Sequence, residues 1–96
     1  MELSSNLRFR ISEQVLAQEV HGETVLLDLA SEAYFGLDEV GTRVWQLLAA
    51  GHNLGELLGT LAEEYRVTRG QLEGDVGELL ASLAAAGLLE PSDETD

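Results

Sequence analysis

Few side chains in this chain of 96 residues could perform covalent or metal chemistry. The absence of cysteine excludes thiolate catalysis, cysteine-bound zinc and disulfides. The two histidines, His21 and His52, fall in predicted turns, and neither belongs to an HxH or HxxxH spacing that would favour a metal site. A nucleophilic enzyme needs a nucleophile, a base and a group that orients the base, and no such set is evident. We therefore predict that the chain is not an enzyme and that it holds no metal.

Phosphate and carrier chemistry is equally unsupported by the sequence. No GxxxxGK[ST] or GxGxxG loop is present. An acyl carrier protein would place a modified serine in an Asp-Ser-Leu context at a helix N-terminus, whereas Ser82 follows an alanine in the middle of a predicted helix. The acidic residues of the predicted helices are most simply solvated faces. We expect no cofactor.

Charge restricts the class of partner. The chain has eighteen acidic residues, five arginines and no lysine, which gives a net charge of −13. Such a surface repels phosphate backbones and anionic membranes. The first residues, MELSSNLRFR, do not have the apolar run expected of a signal peptide, and no hydrophobic run approaches about 20 residues. We expect a cytoplasmic protein without nucleic-acid or membrane partners, whose charge serves either a basic peptide or protein partner or solubility alone.

The apolar pattern changes period once along the chain. Three predicted strands, residues 14–20, 23–29 and 33–37, are joined by short turns at His21-Gly22 and at 30–32, which favours an antiparallel meander. Amphipathic helices are predicted over residues 39–50, 54–65 and 69–86. Their N-caps are Asp38, Asn53 and Thr68, and Gly51 and Gly87 end the first and third helices.

This order predicts an α+β fold in which a three-stranded antiparallel sheet precedes three helices, related to winged helix–turn–helix. The predicted domain is residues 7–90, with flexible tails at 1–6 and 91–96. A DNA-binding role is not supported, because the third helix is acidic and carries Arg69 and Gln71 only in its first turn.

The third strand, AYFGL at 33–37, is a predicted sheet edge with neither charge nor proline. Natural edge strands are usually protected by such residues, because unpaired backbone groups bind other strands. Two interpretations follow. Either the third helix and the shortness of the strand protect the edge, or a peptide adds to it as a fourth strand. An open edge would also permit an edge-to-edge dimer.

In the second interpretation, side chains of the peptide enter a groove between the strand and the third helix. One wall is either Tyr34 and Gly36 or the alternate residues of the strand. The complete set of candidate peptide-binding residues is Ala33, Tyr34, Phe35, Gly36, Leu37, Leu72, Asp75, Val76, Leu79 and Leu83. Tyr34 is the preferred contact because an amphipathic ring suits a partly hydrated pocket, whereas Phe35 is more simply a core residue.

The successive segments TVLLDLASEAYFGLDEVGTRVWQLL, LGELLGTLAEEYRV and QLEGDVGELLASLAAAGLL resemble the PqqD-like family over residues 7–90. The resemblance implies a non-catalytic domain that binds the leader of a ribosomally made peptide antiparallel to strand 33–37 and against helix 69–86. The Tyr-Phe-Gly-Leu-Asp run is most similar to stand-alone members from lasso peptide pathways. These members deliver the precursor to a separate cysteine leader peptidase. The alternatives are delivery to a radical SAM enzyme and a generic acidic protein-interaction module.

Overall fold

Two antiparallel sheets and three helices make up the computed structural model, which describes residues 6–92. The strands are β1 (Arg8–Ile11), β2 (Val15–Val20), β3 (Glu23–Asp28), β4 (Ala33–Leu37) and β5 (Leu89–Ser92). The helices, all between β4 and β5, are α1 (Glu39–Ala49), α2 (Leu54–Glu64) and α3 (Arg69–Ala85). The predicted α+β class, with a three-stranded antiparallel sheet followed by three helices, is confirmed.

The three-stranded sheet has the order β2-β3-β4, so β3 is its central strand. A two-residue turn joins β2 to β3, with positive φ at His21 (55°) and Gly22 (82°). Positive φ at both central residues is the geometry that matches the twist of paired strands. In the register, Asp28 lies opposite both Val15 and Ala33. The structure therefore gives the predicted meander, with strand 33–37 at one edge.

The two-stranded sheet was not predicted. β1 pairs antiparallel with β5, with Arg8 opposite Ser92 and Ile11 opposite Leu89. Pro91 and Ser92 therefore belong to β5, although the sequence placed them in a C-terminal tail. The pairing joins segments about eighty residues apart, and no local pattern indicates such a contact. The remaining predicted tail residues, 1–5 and 93–96, lie outside the described residues.

Side-chain caps fix where each helix begins. The Asp38 carboxylate accepts a hydrogen bond of 2.8 Å from the backbone N–H of Gly41. Asn53 and Glu56 form a reciprocal capping box with bonds of 2.8 and 3.0 Å. Thr68 accepts from the backbone N–H of Gln71 at 3.1 Å. The predicted caps are confirmed, and the end of β4 is consequently joined directly to the start of α1.

The core lies between the inner face of the sheet and the three helices. Leu26 at the centre of β3 is fully buried, and Trp45 of α1 is 7% exposed. Most of the other contributors are leucines and valines of the helices, namely Val44, Leu47, Leu48, Leu54, Leu57, Leu58, Leu61, Leu72, Val76, Leu80 and Leu83, and the cluster also includes Phe9, Leu37, Leu88 and Leu89. This packing fixes α3 relative to β4.

A charge pair on the surface also links α1 to α2. The guanidinium of Arg43 donates to both carboxylate oxygens of Glu64, at distances of 2.8 to 3.1 Å. This hydrogen bonding lowers the pKa of Glu64, with desolvation opposing the shift, and raises the pKa of Arg43. The pair is partly exposed, so it adds little to the stability of the fold.

Candidate functional site

β4 is an edge strand whose second side is open. β3 pairs with one side of β4, and none of the strands described between residues 6 and 92 pairs with the other. The predicted position of strand 33–37 at an edge is confirmed, and the strand contains neither charge nor proline. An unprotected edge of this composition can accept another strand.

Two hydrogen bonds establish the direction of the backbone groups in the sheet. The N–H of Leu29 donates to the carbonyl of Gln14 at 2.8 Å, toward β2. The N–H of Glu32 donates to the carbonyl of Asp28 at 2.7 Å, toward β4. Backbone groups of successive strand residues point to alternate sides. Within β3, the backbone N–H and C=O groups of Asp28, Leu26 and Thr24 therefore point toward β4.

The register carries this alternation into β4. Thr24, Leu26 and Asp28 lie opposite Leu37, Phe35 and Ala33, and these three residues of β4 direct their backbone groups toward β3. The N–H and C=O groups of the intervening residues then point to the open edge. A strand placed there would meet four backbone groups, two from Tyr34 and two from Gly36.

A cavity of about 450 Å³ adjoins this edge. It is bounded by the end of β4, the first turns of α1 and the middle of α3. Its lining residues are Gly36, Leu37, Asp38, Val40, Gly41, Val44, Asp75, Val76 and Leu79. We call this cavity, together with the open backbone groups of Tyr34 and Gly36, the edge groove. Apolar walls with a few polar groups are typical of ligand sites.

Two carboxylates give the edge groove its polarity. Asp38 is engaged in capping α1 through its bond to Gly41. Asp75 is exposed, and its carboxylate makes no hydrogen bond or ion pair with any of residues 6–92. Asp75 can therefore accept a hydrogen bond from a ligand or pair with its positive charge. The groove suits a side chain that is mostly apolar and carries a donor or a cation.

Five of the ten candidate residues meet at the cavity, namely Gly36, Leu37, Asp75, Val76 and Leu79. Ala33 and Phe35 are half-buried, and Phe35 packs against the core, as predicted from the sequence. Tyr34 is 71% exposed on the outer face of the sheet, beside the edge but outside the cavity. The structure thus brings the end of β4 and the middle of α3 together.

Leu72 and Leu83 do not reach the cavity. They are 4% and 2% exposed and lie within the core cluster. Leu72, Val76, Leu80 and Leu83 form the core-facing stripe of α3, while Asp75 and Leu79, four residues apart, form the stripe beside it. Leu72 and Leu83 therefore hold α3 in position without lining the groove.

The sequence did not predict that α1 forms one wall of the cavity. The cap Asp38 and the α1 residues Val40, Gly41 and Val44 line the cavity, although none of them was among the candidate residues. A Cβ atom at Gly41 would lie 3.3 Å from both Asp38 Oδ1 and Leu37 Cβ, which is tighter than an ordinary contact. The sequence feature that could have indicated this wall is the N-cap Asp38 directly after the strand, because a helix that starts there lies beside the end of the strand.

The histidines lie elsewhere. His21 is exposed in the β2–β3 turn, and His52 Nδ1 lies 3.4 Å from Glu56. Within residues 6–92, no group of three or more His, Asp or Glu side chains is arranged to hold a metal ion. No helix in that range is both long and apolar enough to cross a bilayer.

The chain is similar to one protein family and to solved structures of complexes with leader peptides. The family model described as Coenzyme PQQ synthesis protein D (PqqD) matches residues 23–89. The structure of TbiB1 in complex with the TbiA(beta) leader peptide is similar, with 39% identity, a TM-score of 0.81 and coverage of 91% of this chain and 99% of that one. Lasso peptide synthetase B1 complexed with the leader peptide has 30% identity, a TM-score of 0.79 and coverage of 88% and 99%. No curated protein matches.

Proposed function

Because the chain belongs to the PqqD family, we propose that it binds the leader of a ribosomally made precursor peptide in lasso peptide biosynthesis and delivers it to a separate maturation enzyme. The observation that carries this proposal is the edge groove, in which unpaired backbone groups adjoin an apolar cavity. Two proteins of the same fold, 39% and 30% identical, form complexes with leader peptides.

In the proposed complex the leader adds antiparallel to β4 as a fourth strand. Its backbone bonds with the N–H and C=O groups of Tyr34 and Gly36, and one of its side chains enters the cavity between Leu37 and Leu79. Four hydrogen bonds at a net ~1 kcal/mol each and two buried apolar side chains at ~2 kcal/mol each give roughly 8 kcal/mol. Association costs at least several kcal/mol, so further anchors such as Asp75 must contribute to tight binding.

Delivery to a cysteine leader peptidase is the preferred route, since one of the two similar complexes contains lasso peptide synthetase B1. In this proposal the chain itself supplies no catalytic group. Delivery to a radical SAM enzyme is the second candidate, and the family description, coenzyme PQQ synthesis, is the observation that favours it. Cleavage of the precursor by the leader peptidase, measured with and without this chain, distinguishes the two routes.

Titration of a fluorescently labelled leader peptide, followed by anisotropy, tests the proposal. We expect saturable binding, and Tyr34→Ala should weaken it about fivefold, because the ring flanks the added strand and cross-strand aromatic contacts contribute up to about 1 kcal/mol. The matched control is Val67→Ala, another exposed apolar residue outside the edge groove.

Duplex DNA provides the second control, and we expect no binding to it at a net charge of −13. A folded sample that binds no leader would contradict the proposed function. It would leave the generic acidic interaction module as the interpretation.

A further inference from the structure

The outer face of the three-stranded sheet carries an apolar patch that lies outside the cavity and shares only Tyr34 with the edge groove. Its members are Leu16, Val20, Val25, Leu27, Leu29 and Tyr34, and we call them the sheet patch. All except the half-buried Leu27 are more than 40% exposed. A contiguous exposed apolar surface on a small domain commonly marks an interaction site.

The register makes the sheet patch continuous. Leu16, Leu27 and Tyr34 lie side by side in one row across β2, β3 and β4. Val25 lies in the next row, between Gln18 and Gly36. Among the strand residues that share this face, Glu23 alone is charged, and it lies at the end of β3.

This lack of charge is unusual in a chain with eighteen acidic residues. A second copy of the chain is a poor occupant, because two molecules with a net charge of −13 each repel one another. An anionic membrane is repelled for the same reason. The chemistry of the face fits a different protein with an apolar contact surface.

The patch is also continuous with the proposed leader site. Tyr34 contributes its side chain to the outer face and its backbone groups to the open edge. A leader strand beside β4 would place every second side chain on the same face. The smallest residue there is Gly36, so a leader side chain next to it remains accessible to a protein that covers the sheet.

From these observations we infer that the sheet patch is the docking surface for the enzyme that processes the leader, and that this enzyme contacts the patch and the added leader strand together. The inference rests on the proposed function and names the partner-binding face. Two strands of six residues and one of five present roughly 300 Å², and a fourth strand raises this to roughly 400 Å². Stable complexes bury about 800 Å² per partner, so docking on this face alone is transient, as a carrier that releases its cargo requires.

The test combines two variants on the sheet patch, Leu16→Asp and Val25→Asp, with the purified leader peptidase and the full-length precursor of the same pathway. Both side chains are exposed, so the fold tolerates the changes, and Leu16→Gln provides a milder version. We expect leader affinity within twofold of wild type and a rate of precursor cleavage reduced at least tenfold. The control Val67→Asp places the same charge on an exposed apolar residue outside the patch and should leave cleavage unchanged.

Wild-type cleavage rates in both patch variants would overturn the inference, and so would a loss of leader binding by either variant. A wild-type dimer in sedimentation experiments that Leu16→Asp dissociates would assign the face to a second copy and also overturn it. Failure of the proposed function is distinct, because in that case the wild-type chain itself would not bind the leader.

Discussion

Replacing Gly36 with proline should weaken leader binding at least about tenfold. Proline removes the N–H that Gly36 turns toward the open edge and places its ring where the added strand must lie. The change leaves the ladder with β3 intact, because the β4 groups that bond to β3 belong to Ala33, Phe35 and Leu37. A Cβ at Gly36 would meet nothing within 4 Å, and the ring carbon bonded to nitrogen would take the place of the N–H that points to the open edge. Fluorescence anisotropy measures the affinity.

The opposite edge of the sheet supplies the matched control. Gln14 bonds to Leu29, so alternation makes Ala17 of β2 direct its N–H away from β3, just as Gly36 does in β4. Ala17→Pro therefore imposes the same kind of change on the edge that the leader is not proposed to use, and it should leave the affinity unchanged. Equal losses in the two variants, with both folded by circular dichroism, would contradict strand addition at β4. N-methylation along the leader provides an independent check and should weaken binding at alternate positions.

Replacing Leu79 with aspartate should also weaken leader binding at least about tenfold. Leu79 lines the cavity beside Asp75, so the variant removes an apolar wall and places a second carboxylate one helical turn away. An apolar leader side chain would then lie against charge instead of hydrocarbon, which costs a large part of the ~2 kcal/mol gained by its burial. The affinity is measured by the same titration.

Ala81→Asp is the control, since Ala81 is an exposed residue of α3 that does not line the cavity. Leu79 also packs against the core, so the thermal unfolding of both variants must be compared. Leu79→Ala, which adds no charge, should weaken binding less than Leu79→Asp. Unchanged or tighter binding by folded Leu79→Asp would show that the leader does not place an apolar side chain in this cavity.

The ends of helices and strands were predicted best where a local sequence signal marks the boundary, as at both ends of β4. AYFGL lies between a turn and the N-cap Asp38, and the structure gives β4 the predicted bounds 33–37. Each helix begins after its predicted cap for the same reason. The edge position of β4 followed from the order of the strands, because a three-stranded meander has only one central strand.

Features that depend on contacts distant in sequence could not be predicted in this way. β5 includes Pro91, and it is a strand only because β1 pairs with it. On α3 the apolar pattern identified the buried side of the helix without separating the core stripe of Leu72 and Leu83 from the groove stripe of Asp75 and Leu79. That separation depends on where β4 and α1 lie, which periodicity within one helix does not contain.

Amide hydrogen exchange, resolved residue by residue with and without saturating leader peptide, reports directly on strand addition to β4. Strand addition to β4 predicts that exchange at the N–H groups of Tyr34 and Gly36 slows at least about tenfold, because both become hydrogen-bonded to the leader. The outward N–H groups of Ala17 and Glu19 on the opposite edge should keep their rates. Unchanged exchange at Tyr34 and Gly36 in a saturated complex, or slowing on β2 instead, would show that the leader does not add to β4.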